Sequence, residues 1–196
     1  MKLVKLGLAI SLVAGTTLAN ASEYSFGIQA GVGFGGETLI ETETTTTTIS
    51  AGDNLALGAF VNTPILFSDI YGKIAISTAN ESEVYTNAEE SFSRIPLSFL
   101  LMKKTGAYTY GAGLTYHLNP SYELILTGSG YEKVDYSNAL GFIIEANRTF
   151  SSGIEVGFSY TNIEYSGGTE SGTTSFEIND TVDGSNFALT VGYTFN

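Results

Sequence analysis

Residues 186–196 read N-F-A-L-T-V-G-Y-T-F-N. Phe187, Leu189, Val191, Tyr193 and Phe195 form one alternating set, and Ala188, Thr190, Gly192 and Thr194 form the other. A period of two places one set on each face of a β-strand. A strand of a water-soluble barrel would bury its bulky apolar face and show Lys and Glu to solvent. Here the second face is Gly, Ala and Thr, residues that suit a cramped interior and make a poor solvated exterior. The bulky set therefore looks outward into hydrocarbon, the pattern of a transmembrane β-strand.

The same alternation recurs upstream, with large apolar residues outward in each segment. Segment 24–34 offers Tyr24, Phe26, Ile28, Val32 and Phe34, and segment 55–62 offers Leu55, Leu57 and Val61. Ile70, Ile74 and Ile76 mark a third, and Ile95, Leu97, Phe99 and Leu101 a fourth. Tyr108, Tyr110, Leu114 and Tyr116 alternate with Thr109, Gly111, Gly113, Thr115 and His117 in the fifth. Leu140, Phe142 and Ile144 mark the sixth; Ile154, Val156, Phe158 and Tyr160 mark the seventh. With the closing segment this predicts an all-β chain: an eight-stranded antiparallel transmembrane β-barrel, whose tilted strands need about nine to eleven residues each to cross. Closure leaves no edge strand with unsatisfied backbone groups. Pro96 cannot donate to a ladder, so a bulge or a strand start is expected near it, at the external rim.

The gaps alternate in length. Gaps 35–54, 79–93, 118–138 and 165–185 are long; gaps 63–69, 103–106 and 149–153 are short. Short periplasmic turns and four long external loops are expected, with both termini on the periplasmic side. Aromatic residues group at the strand ends. Tyr24, Phe26, Tyr71, Tyr108, Phe150, Tyr193 and Phe195 fall near the periplasmic end, and Phe34, Tyr116, Phe142, Tyr160 and Phe187 near the external end. They predict an aromatic girdle at each interface.

The amino-terminal region has Lys2 and Lys5, an apolar run over residues 6–18, and Ala19-Asn20-Ala21. This reads as a signal peptide over residues 1–21, with Ala19 and Ala21 at the cleavage site and a barrel domain over residues 22–196. The apolar run is too short to span a bilayer as a helix. Without Lys2 and Lys5, six basic side chains face twenty acidic ones, a net charge of −14. That balance argues against nucleic acid or anionic lipid as an electrostatic partner. There is no cysteine, so stability must come from the closed sheet or its core.

On these segments and the closing Tyr193-Thr194-Phe195, the chain resembles the small outer-membrane β-barrel family of the OmpA/OmpX type, with Asn196 as one extra residue after the aromatic end. The resemblance implies a location in the cell outer membrane and contact with outer-membrane lipid and lipopolysaccharide. It also implies insertion by the outer-membrane assembly machinery, which reads the terminal aromatic, and a monomeric barrel. The fold hosts structural, adhesive, transport and enzymatic members, so it does not choose among them.

Lys73, Glu145 and Glu155 fall inward, with Gln29 near mid-height. A charge in a narrow lumen must be paired, which predicts a structural network joining Lys73 to Glu145 or Glu155. A gated, narrow channel for small solutes is the alternative use of that network. His117, the only histidine, is expected inward at the external end. Two lipid A-modifying enzyme families share this barrel size, but Asn119 stands where a His-x-Ser pair would put serine, and Ser121 and Glu123 have no set geometry. No catalytic, cofactor or metal residue is assigned. The long gaps carry many carboxylates, among them Glu37, Asp53, Glu81, Glu83, Glu89, Glu90, Glu123, Glu132 and Asp135, against Lys133 alone. They are expected to form a solvated acidic surface for structural work, recognition or adhesion, open to an extracellular ligand.

Overall fold

The computed structural model describes residues 24–39, 49–65, 69–128, 130–172 and 181–195. The cleavage site at Ala19 and Ala21 lies outside them. The described elements are β1 (Ser25–Phe34), β2 (Asn54–Pro64), β3 (Ile70–Val84), β4 (Ala88–Thr105), β5 (Tyr108–Leu126), β6 (Gly130–Asp135), β7 (Ala139–Thr149), β8 (Ile154–Asn162), β9 (Glu164–Ser166), β10 (Thr169–Gly172), β11 (Thr181–Asp183) and β12 (Asn186–Phe195). Every ladder among them is antiparallel.

Strands β1, β2, β3, β4, β5, β7, β8 and β12 pair in that circular order and close into a barrel when β12 returns to β1. The seam runs from Phe26↔Phe195 to Phe34↔Phe187, and the Phe26 and Phe195 rings stack at 5.4 Å. Outward positions carry exposed apolar side chains all round, including Ile28, Leu57, Ile76, Leu101, Leu114, Leu140, Phe158 and Leu189. Leu57 is 60 % and Leu189 61 % exposed. A continuous apolar belt of this kind is incompatible with water and fits acyl chains. Inside, glycines make room for neighbours: a Cβ on Gly27 would strike the Phe60 ring, and one on Gly157 would strike Asn147.

Two of the long gaps are strand rather than loop. β3 and β4 continue well past the belt into a hairpin closed by Tyr85 N–H donating to the Ala88 carbonyl at 2.7 Å. β5 continues to Leu126 and turns back into β6, and β10 adds to β6. The expected alternation keeps apolar residues outward, and beyond the belt that phase inverts. Phe92, Tyr122, Leu124 and Val134 point inward there, packing with Leu39, Ile49, Ile163, Tyr165 and Val182 into a core above the barrel. Phe92, Tyr122 and Tyr165 are fully buried in it.

The two strands achieve the inversion differently. On β4 the side-chain phase is geometrically continuous, and the sequence shifts its apolar residues from odd positions (Phe99, Leu101) to even ones (Phe92). On β5 every even position from Tyr108 to Leu126 stays apolar, and the backbone shifts instead. Asn119 and Pro120 together oppose the single residue Arg94, a bulge, with Asn119 at φ 49°. Below the bulge Thr115 and His117 face inward; above it Tyr122 and Leu124 do. Pro96 lies just beyond this register shift, near the external rim as expected.

Tyr71 does not join the periplasmic girdle. It occupies the inward phase of β3, where its hydroxyl meets Thr109 at the barrel mouth. Glu90 and Glu132 are buried rather than solvated, because the hairpins that carry them are packed sheet.

Two outcomes follow from the packed external layer. Phe92→Ala should cost about 3–5 kcal/mol in the cap, read as a lowered urea midpoint for protease protection of residues 85–128, with the barrel itself still assembled. Burial raises the Glu90 carboxyl pKa, and the charge of Glu83 directly across the hairpin raises it further. The folded hairpin then holds a proton that the unfolded chain releases. This contribution is complete below the ordinary carboxyl value of about 4.3 and is lost as pH rises through the raised one. Proteolysis at the 85–87 turn should quicken across that window, and Glu90→Gln should flatten the dependence.

Candidate functional site: the capped lumen

At the short-turn end of the lumen, Lys73 on β3 reaches across to Glu145 on β7, Nζ to Oε1 at 2.6 Å. Both side chains are nearly inaccessible. Asn147, two residues on and on the same face, donates its amide to the same carboxylate oxygen. The Phe60 ring lies 4.6 Å from Lys73 Nζ, so the ammonium is held between a carboxylate and an aromatic face. Glu155 is not part of this pair; it accepts the Thr194 hydroxyl at 2.6 Å, at the wide mouth lined also by Tyr71 and Thr109. Gln29 lines the cavity above the ion pair. Of the four lumen residues predicted from sequence, two are in direct contact and two line the space around them.

That cavity is small, about 90 Å³. Ser98 donates to Thr115 at 2.9 Å on its wall, and Arg94 and His117 form its upper edge. The first long connection folds back over it. Gly52 supplies a carbonyl that accepts from Asn54 Nδ2 at 2.8 Å, Asn186 Nδ2 at 3.1 Å and Arg94 Nη2 at 3.4 Å. Only glycine fits there, since a Cβ on Gly52 would run into the Gly35 backbone. Above this closure the Arg94 guanidinium lies 5.0 Å from the Phe92 ring, and Nδ1 of His117 shares a 2.6 Å hydrogen bond with the Tyr165 hydroxyl. Burial pushes the Tyr165 phenol up to about 12, so it stays protonated.

His117 and Ser121 lie on opposite sides of the bulge and serve different partners. The Ser121 hydroxyl donates to Asp135 at 2.7 Å, and Asp135 also pairs with Lys133 at 2.6 Å on the surface. No group of three or more metal-ligating side chains occurs among the described residues. Arg94 and Tyr165, which organise the upper lumen, were missed from sequence. Arg94 stands at the bulge where the alternation changes hands, and Tyr165 in a long gap with no pattern of its own.

The outward aromatics form two levels. Tyr24, Phe26, Tyr108, Phe150, Tyr193 and Phe195 are exposed toward one end of the barrel wall; Phe34, Tyr116, Phe142 and Phe187 are exposed toward the other. Tyr160 is half-covered by Phe187, ring to ring at 4.7 Å.

Glu145→Gln should strand Lys73 in the lumen and cost about 3–5 kcal/mol, measured as a fall in the urea midpoint of the detergent-folded barrel. Lys73→Met combined with Glu145→Leu should recover most of that loss, because no buried charge is then left alone.

No protein-family model and no curated protein matches the chain. Among solved structures it is similar to Ail, the attachment invasion locus protein of Yersinia pestis, with a TM-score of 0.57 at 10 % identity over 88 % of this chain and 98 % of that one. It is similar to Neisserial surface protein A, with a TM-score of 0.55 at 9 % identity over 88 % and 97 %. It is also similar to a major outer membrane protein from Thermus thermophilus, with a TM-score of 0.52 at 10 % identity over 88 % and 99 %. At such identities the likeness is one of architecture, and the architecture is that of the small outer-membrane β-barrels.

Proposed function

We propose that this chain is an outer-membrane barrel, with its short turns in the periplasm, that serves as a rigid stand for an acidic recognition surface. The carrying observation is the packed core over the barrel, in which Phe92, Tyr122 and Tyr165 are buried and the first connection folds across the lumen. An open channel has no use for a hydrophobic lid; a display platform needs one to hold its hairpins in place. The small cavity and the Lys73–Glu145 pair beneath the lid support the same reading. His117 is committed to Tyr165 and Ser121 to Asp135, which gives a lipid A-modifying role no nucleophile–base pair to start from.

The surface chemistry selects the class of partner. One solved structure of Ail holds the heparin analogue sucrose octasulfate. Here the external strands carry Glu89, Glu123 and Glu164 on their outward faces, while Glu81 and Glu83 are half-buried opposite Phe92 and Glu90, and Lys133 is neutralised by Asp135. Such a surface repels sulfated glycans and attracts basic protein surfaces. Cells displaying the protein should adhere to a lysine-rich protein coat, less so as salt rises, and not to heparin. Replacing Glu89, Glu123 and Glu164 by Gln should reduce that adhesion at least several-fold while the heat-dependent gel shift of the folded barrel persists. Discrete conductance steps in a planar bilayer, or adhesion unchanged by the three substitutions, would count against the reading.

A further inference from the structure

The few basic side chains are placed very unevenly. Lys73 and Arg94 are buried inside the barrel, and Lys133 is paired in the external layer. Lys103, Lys104 and Arg148 all lie where β4 and β7 end, beside the short turns. Lys103 and Arg148 occupy the outward, lipid-facing phase of their strands and are exposed. They sit on neighbouring rungs: Lys103 opposite Tyr110, and Arg148 opposite Tyr108. The Arg148 guanidinium is 5.8 Å from the Tyr108 ring and 4.9 Å from the Phe150 ring, which fixes it against the aromatic level of the wall. Among the described residues neither cation forms an ion pair.

Immediately toward the middle of the belt the wall is dented. Ala112 and Ala146 are small outward residues on adjacent strands, and between Leu101, Tyr110, Ile144 and Phe158 they leave an apolar depression of about 530 Å³ that reaches Lys103. A depression in a lipid-facing wall is filled by acyl chain, and two outward cations at its aromatic rim call for a phosphate.

We propose that this is a seat for one phospholipid with a net-negative headgroup. An acyl chain lies over Ala112 and Ala146, and the phosphodiester is held between Lys103 and Arg148. The guanidinium supplies a two-pronged donor and the ammonium a point charge, a pairing suited to a phosphate with two free oxygens. An anionic lipid is preferred over a zwitterionic one because its headgroup brings no cation of its own to compete with the two side chains. The inference rests on reading the short-turn end as the periplasmic leaflet of a membrane barrel.

The test is native mass spectrometry of the full chain folded in detergent and given equimolar phosphatidylglycerol and phosphatidylcholine with identical acyl chains. Folded wild type should retain phosphatidylglycerol several-fold over phosphatidylcholine. Lys103→Gln with Arg148→Gln should bring the two to parity, whereas Lys133→Gln at the other end should leave the preference intact. Ala112→Phe, which fills the dent, should lower retention of both lipids. Equal retention by folded wild type, a preference that survives in the double variant, or retention untouched by Ala112→Phe would overturn the seat alone. A wild-type sample without the heat-dependent gel shift would instead overturn the membrane-barrel reading and the seat with it.

Discussion

A β-strand in hydrocarbon has no water to satisfy its N–H and C=O groups, and each orphan costs several kcal/mol. This constraint leaves closure as the only arrangement, and the β1–β12 ladder is where closure is achieved. Everything else in the wall follows from it. A closed circle of eight strands is narrow, so inward positions must be small or mutually paired. The glycines facing Phe60 and Asn147, the Ser98–Thr115 bond and the Lys73–Glu145 pair are answers to that crowding.

Leaving the membrane reverses the rule. Outside hydrocarbon the bulky face must turn in and the polar face out, and the strands are long enough to obey both regimes in turn. β4 changes its residues and β5 changes its backbone, and the two meet at the level of Arg94, Asn119 and Pro120. The bulge therefore joins a membrane barrel to a water-soluble sheet without interrupting the ladder beyond one residue. The core above it is conventional, with aromatic side chains in edge-on contact such as Phe92 with Tyr165 at 5.5 Å.

This explains which parts of the molecule were legible in the sequence. The belt was, because a period of two with bulky residues on one side leaves little freedom once the other side is Gly, Ala and Thr. Lys73 and Glu145 were legible for the same reason: parity alone put both inside. The upper layer was not. In β5 the even positions stay apolar from Tyr108 to Leu126, so nothing in composition marks where they stop facing lipid and start facing a core. Only the Asn-Pro dipeptide at 119–120 hints at the change, and it reads as a loop. Tyr71 misleads in the opposite way: its aromatic ring suits a girdle, but its odd number puts it on the inward face of β3 with Lys73 and Ala75.

The seam carries a consequence for how the protein is made. Its first rung joins Phe26 to Phe195, so the earliest strand to be synthesised waits for the latest before either can be satisfied. Contacts this remote in sequence form slowly. In the interval the chain is a set of greasy ribbons with open edges, soluble only if something shields them. Synthesis and closure are thus uncoupled: the barrel cannot take its shape strand by strand, and its first ladder waits until the last strand exists.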